Sequence, residues 1–279
     1  MKKIKPILFL LMLSSTLLMI QSCNDNCDDI ECLNGGSCID GSCDCPDGYS
    51  GTNCKTVDLC FGVTCQNGGD CVDGTCKCPD GFYGTSCENM TVQHRLLTKT
   101  PFQLFNDNVP LDSLYGKLYE GGLIFYLNTT NGTGMVSAIQ DQSNDVAWGC
   151  YGTDIANLNN VIFCSDDCVT PEPAETEEGA RIGDGFTNTD KILVGCTTNG
   201  IPAKLCRDQG VEWFLPSRGE LNMMYKNLRQ KGFGNFEADF YWSSSEASNN
   251  VTWVQNINIG SQFMHFKTNN NRVRAARAF

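Results

Sequence analysis

The chain has 279 residues, eighteen of them cysteine, and a formal net charge of −12. Thiols at that density exclude a reducing cytosol as the working compartment. The acid excess excludes wholesale nucleic-acid binding, which calls for a basic face, and two histidines leave little for a histidine triad or a multi-histidine metal site.

The chain begins with a basic segment, MKKIKP, followed by the apolar run ILFLLMLSSTLLMI and then QSC. Basic, apolar and small residues in that order describe a secretory signal over residues 1–22. The run falls short of the roughly twenty residues that a membrane span needs. Ser22-Cys23 resembles a bacterial lipobox, from which Ile20 and Gln21 depart. The resemblance implies cleavage before Cys23, acylation of that residue, and a short tether over 23–26. Each buried methylene of an acyl chain adds about 0.8 kcal/mol, so several chains anchor firmly. The expected location is therefore the outer membrane of a Gram-negative bacterium, at the cell surface. Plain secretion is the alternative, and it leaves Cys23 without a role.

Two six-cysteine arrays follow. The first is Cys27, Cys32, Cys38, Cys43, Cys45 and Cys54, and the second is Cys60, Cys65, Cys71, Cys76, Cys78 and Cys87. Both have intervals of four, five, four, one and eight residues, which makes them an internal repeat. Residues 24–88 carry twelve acidic and two basic side chains, most simply a solvated surface. Segments this short cannot build a sufficient apolar core and must be cross-linked, although spacing alone leaves about fifteen pairings open per array. Each GG and DG pair marks a tight turn between short strands. CLNGGSCIDGSCDCPDGYSGTNC and CQNGGDCVDGTCKCPDGFYGTSC resemble the EGF-like module. That resemblance implies Cys27–Cys38, Cys32–Cys43 and Cys45–Cys54, and likewise Cys60–Cys71, Cys65–Cys76 and Cys78–Cys87, in modules spanning 27–54 and 60–87. Calcium-binding modules of the family carry a Glu in an acidic pattern before the first cysteine. Here Asn24, Asp25 and Asn26 stand before Cys27, and VDL before Cys60. The modules are expected to hold no calcium and to act as a jointed spacer.

Residues 88–99 read as a polar linker to a domain over 100–279. Thr100, Pro101 and Gln103 form a helix start with a capping box. EGGLIFYLN and GMVSAI around TTNGTG make a hairpin. Residues 154–190, with nine acids and one arginine, read as an acidic surface insertion. Short helices are expected at TDKILVGC and IPAKLCRDQ. A clearer one follows Ser217, which with Glu220 forms a second capping box, while Leu221, Met224, Tyr225 and Leu228 recur at helical spacing and Gly232 stops the helix. FYWSSSE, VTWVQNIN, QFMHFKT and RVRAARAF are strands, with a turn at Gly260-Ser261. The fold class is α+β, preceded by two small disulfide-rich modules.

Positive signs of catalysis are missing. There is no HExxH, Walker loop, GxGxxG or nucleophile elbow, and Ser243, Ser244 and Ser245 lack the flanking glycines of an elbow. His94 lies in the linker and His265 in a strand alternation. No cofactor and no metal site are expected. Of the remaining cysteines, Cys164–Cys168 is read as a local disulfide rather than a metal site, Cys150 is paired with Cys196, and Cys206 is left buried on its helix.

YEGGLIFYL, QSNDVAWGCYGT, NTDKILVGC, IPAKLC, WFLPSRGELNMMY, FYWSSSE and RVRAARAF occur in this order, and over 117–279 the chain resembles a family of bacterial surface domains. That family is named after the C-terminal domain of the collagen-like adhesin Lcl. The insertion at 154–190 departs from its pattern. The resemblance implies a C-type lectin-like fold, a binding role toward an extracellular glycan or protein, membrane attachment through the lipid, and a trimer by analogy. The greater acidity here removes any presumption of a sulphated ligand. Lectin-like sites stack sugar rings on aromatic faces and hold hydroxyls with amides and carboxylates. The candidates are Trp242, Glu246, Asn249, Asn250 and Trp253, with Asn269, Asn270, Asn271 and Arg272. The competing reading places both tryptophans in the core, the asparagines in turns, and Arg272, Arg274 and Arg277 on one face of an edge strand. The leading function is a surface-anchored adhesin-like lipoprotein. The alternatives are an exported enzyme on a formylglycine-generating-enzyme-like scaffold, using Cys196 and Cys206 or Cys164 and Cys168, and a structural envelope lipoprotein.

Overall fold

The structure, a computed structural model, describes residues 27–155 and 178–279. The proposed anchor Cys23 and the proposed pair Cys164–Cys168 lie outside the described residues. Two compact units are present: 27–79 with 84–88, and 80–83 with 89–279. Among the described residues no helix is long and apolar enough to cross a membrane.

In the first unit, β1 (Ser37–Ile39) pairs with β2 (Ser42–Asp44), β3 (Tyr49–Ser50) with β4 (Thr56–Val57), and β5 (Asp70–Val72) with β6 (Thr75–Lys77). The disulfides join first to third, second to fourth and fifth to sixth cysteine in each array. The second glycine of each NGG has a steric reason. A Cβ at Gly36 would stand 2.6 Å from Cys54 Sγ, and one at Gly69 would stand 2.7 Å from Cys87 Sγ. The last disulfide of each module thus lies against bare backbone, in place of the apolar core the segment cannot form. The interval between modules carries more contact than a free joint would. Asp58 N–H donates to Gly48 O at 2.8 Å, and Phe61 packs over Gly48.

The second unit begins earlier than the linker reading placed it. β7 (Phe82–Tyr83) pairs with β8 (Asn89–Met90), and α1 (Val92–Arg95) follows, capped by the Thr91 hydroxyl. Leu96 is buried, and the Gln93 amide bonds both the N–H and C=O of Leu118. Residues 88–99 look polar in composition, yet their few apolar and amide groups tie them to the domain. Next come α2 (Pro101–Asn106), with the Thr100–Gln103 capping box formed, and α3 (Leu111–Leu114).

Two five-stranded sheets make the body. β9 (Leu118–Tyr119), β10 (Gly122–Leu127), β11 (Gly134–Ser137), β13 (Trp213–Phe214) and β18 (Ala276–Ala278) form one antiparallel sheet in the order β13-β18-β11-β10-β9. β12 (Ser143–Ala147), β14 (Phe240–Glu246), β15 (Val251–Asn256), β16 (Gln262–Phe266) and β17 (Asn270–Val273) form the other, ordered β12-β17-β14-β15-β16, with only β14 and β17 parallel. RVRAARAF is therefore not one edge strand. It breaks at Arg274-Ala275 and feeds an interior position in each sheet, because the buried Arg274 leaves the ladder to bond elsewhere.

Helices α4 (Asp184–Gly195), α5 (Pro202–Arg207) and α6 (Arg218–Asn227) pack on these sheets. α4 starts inside the span assigned to the acidic insertion. Ala180 is buried and Gly179 N–H donates to Asp184, so residues 178–190 belong to the domain body. α6 carries the second capping box, Ser217 with Glu220, and buries Leu221 and Met224, with Leu228 at its C-cap, against Phe125, Tyr241 and Ile257. Cys150 and Cys196 are joined, tying the segment after β12 to the end of α4. Cys206 is buried on α5, where desolvation raises its thiol pKa.

Candidate functional site

The nine residues singled out from sequence fall into three environments. Trp242 and Trp253 are fully buried. Trp242 packs with Trp148, Ile201 and Val273 and donates its indole N–H to Val146 O at 2.7 Å, while the Arg218 guanidinium covers the Trp253 ring at 3.8 Å. Neither has a face for a ligand, because each completes a sheet-to-helix contact. Glu246 is equally buried. It pairs with the fully buried Lys267, and its other oxygen accepts the Ile155 N–H at 3.2 Å. Lys267 Nζ also donates to Thr153 O at 2.9 Å and sits 4.7 Å from the Trp148 ring centre. Burial raises the Glu246 pKa, opposed by Lys267 and the Ile155 N–H and reinforced by Asp154. This pair fastens the segment between Trp148 and Ile155 and is not open to a ligand.

Asn249, Asn250 and Asn269 do lie in turns at one end of the second sheet, and Asn270 opens β17 beside them, paired with Ala147. Lys267 N–H donates to Asn250 O at 2.9 Å, which sets the β14–β15 and β16–β17 turns side by side. Asn271 is buried, its Oδ1 3.2 Å from His265 Nδ1, so it does not join the exposed group. Burial lowers the His265 pKa against the pull of that bond.

Arg272 belongs to a different constellation, with Asp141 at its hub. Asp141 meets Arg272 Nη1 at 3.2 Å and Arg274 Nε at 2.7 Å, and it accepts the Tyr241 hydroxyl at 3.0 Å. Arg272 also reaches Asp239 and Asn144, and the Arg274 guanidinium lies 4.1 Å from the Phe236 ring centre. Arg272 and Arg274 thus share Asp141, while Arg277 pairs instead with Glu120 and Glu212.

Two open clefts flank the exposed Ile139-Gln140 segment. One, of about 480 Å³, is lined by Trp213, Arg277, Glu120, Gln140, Gln142 and Gln209, among others. The other, of about 420 Å³, is lined by Asp141, Asn144, Glu237, Arg272 and Arg274. The first combines a half-buried indole, amides and an ion-paired arginine, the chemistry sequence reasoning sought around Trp242 and Trp253. Of its lining, only Arg277 was singled out in the sequence, and there as strand surface; Glu120, Gln142 and Trp213 stood only within longer motifs. Four segments from 120 to 277 meet at this cleft, and no local pattern signals that.

The triple serine is structural. Ser243 Oγ donates to Trp253 O, Ser245 Oγ donates to Gly179 O, and Ser244 Oγ accepts from Asn188 Nδ2. Glu220 is a second buried acid. It accepts N–H groups from Ser217, Gly183 and Gly185, joining the starts of α4 and α6. Burial pushes its pKa from 4.5 up to about 7, against those three N–H groups and with a further push from Asp184. The folded chain therefore holds this proton more tightly than the unfolded chain. The stability it contributes is full below pH 4.5 and is lost as pH rises through about 7. Glu220→Gln keeps an acceptor for the capping box, and it should gain roughly 3 kcal/mol on the parent from about pH 4 to about pH 8. Chemical denaturation at both pH values checks this; a pH-independent difference would count against it.

The family described as human growth factor-like EGF matches residues 32–49 and 65–82. With the disulfide pattern, this makes the two N-terminal modules EGF-like. No curated protein matches the chain. Modules of this type point to an extracellular binding or structural role, carried here beside an α+β domain.

Proposed function

We propose that this chain is a surface-anchored binding lipoprotein. Acylated Cys23 attaches it to the outer membrane, the EGF-like modules act as spacer, and the α+β domain is a C-type lectin-like head for an extracellular glycan or protein. The observation that carries the reading is the 480 Å³ cleft, where the Trp213 indole stands beside Gln140, Gln142 and Gln209 and the Arg277–Glu120 pair. An indole edge among amides, a carboxylate and a guanidinium suits a ring with hydroxyl substituents. The enzyme reading has less support: Cys196 is joined to Cys150, and Cys206 is a single buried thiol whose pKa is raised, the opposite of a reactive cysteine.

A glycan array probed with the exported chain carrying Cys23→Ser, with and without calcium, tests the proposal. Selective retention by a saccharide set supports the head as a receptor. No retention, together with thiol-dependent turnover of an oxidisable peptide, would favour the enzyme. No retention and no turnover would favour a structural envelope role.

A further inference from the structure

The four edges of the two sheets are not protected alike. β9 and β13 are two residues long and stand beside charged side chains, Glu120 and Glu212. β12 carries Asp145 and a register break between Ser143 and Val146. Short strands, charges and bulges are the devices that keep sheet edges from pairing with other chains. β16 has none of them. Its five residues run in unbroken register with β15, and among the described residues no strand pairs on its outer side. It contains no Pro, Lys or Arg.

This edge is also apolar on both faces. Phe263 is 37% exposed, Met264 43% and Phe266 54%, and Ile259 in the preceding turn is 58% exposed. Phe263 and His265 stand on one face with Phe240, while Met264 and Phe266 stand on the other. Large apolar side chains gathered on an open edge mark an interaction surface. Charge selects the occupant. Residues 247–266 contain no Asp, Glu, Lys or Arg, in a chain of net charge −12. When two copies meet about a twofold axis, every side chain faces the same patch of its mate, so any charge there opposes itself. A charge-free hairpin is the surface through which so acidic a chain can meet its own copy.

We propose that β16 is a homodimer interface, in which two copies align antiparallel about Met264 and join their sheets into a single ten-stranded sheet. In that register Phe263 and His265 of one copy lie opposite His265 and Phe263 of the other. The pairing supplies hydrogen-bond partners to the open edge and covers Phe263, Met264 and Phe266.

Sedimentation equilibrium of the exported chain carrying Cys23→Ser, taken up to about 100 μM, tests this. The expected result is a reversible dimer, since a twofold pairing of β16 closes at two copies, in place of the trimer that the family resemblance implies. Met264→Lys places two ammonium groups against each other at the axis and should weaken it by at least about tenfold without moving the thermal melt of the dilute, monomeric chain. Should that variant fail to fold, Met264→Cys provides a second readout. Its thiols stand opposed across the axis, so mild oxidation should give a covalent dimer. A chain that stays monomeric throughout, an oligomer that Met264→Lys leaves intact, or Met264→Cys that does not cross-link would overturn the proposal.

Discussion

Lys267→Met is expected to destabilise the α+β domain by about 3–5 kcal/mol, the usual cost of leaving a buried charge without its partner. Lys267 and Glu246 are both fully buried, and the cation also holds Thr153 O and lies over Trp148. Removing the ammonium strands Glu246 in an apolar setting that already raises its pKa. The variant should therefore recover stability as pH falls and Glu246 takes up a proton. The double variant Lys267→Met with Glu246→Leu should regain most of the loss, because a buried ion pair replaced as a unit by apolar groups is often neutral. It will still lack the acceptor for the Ile155 N–H, worth about 1 kcal/mol. Urea denaturation of the three proteins separates these cases. Equal losses in the single and double variants would show that the pair contributes net attraction and is not merely a compensated burial.

Cys45→Ser with Cys54→Ser is expected to unfold the first EGF-like module, removing about 2–5 kcal/mol from a segment with no other core. Cys54 is fully buried and its sulfur sits against Gly36, so the bond is both cross-link and packing centre. The α+β domain has its own apolar clusters and, among the described residues, one disulfide, Cys150–Cys196. Its calorimetric transition should stay where it is while trypsin gains access near Lys55. A shift of both transitions together would mean that the module and the domain do not fold independently.

Much of the architecture was legible wherever one local rule decided the outcome. The cysteine intervals pointed to the modules, and Thr100 with Gln103 and Ser217 with Glu220 announced their helices through side chains that cap within three residues. The hairpin around Asn131-Gly132 followed from turn chemistry between two β-rich apolar runs. What escaped notice depended on distant partners. Arg274 looks like one of three alternating strand residues, yet Asp141, more than a hundred positions away, draws it out of the ladder and splits the final strand between two sheets. Trp242 and Trp253 carried two readings in the sequence, ligand-facing and core, and only α6 with Arg218, and α5 with Ile201, show why both are core. The linker reading failed for a similar reason, since Gln93 finds its partner at Leu118.

The same long-range assembly moved the candidate site from the Asn249–Asn270 turns to the cleft of Trp213. The most direct measurement compares binding of the strongest array-selected saccharide by three chains: the parent, Trp213→Ala, and a variant with Asn249, Asn250, Asn269 and Asn270 all changed to Ala. Loss of a stacking face is expected to weaken binding at least about tenfold in Trp213→Ala, while the four-alanine variant binds like the parent. Binding that survives Trp213→Ala but disappears with the four asparagines would contradict the account and return the site to the turns.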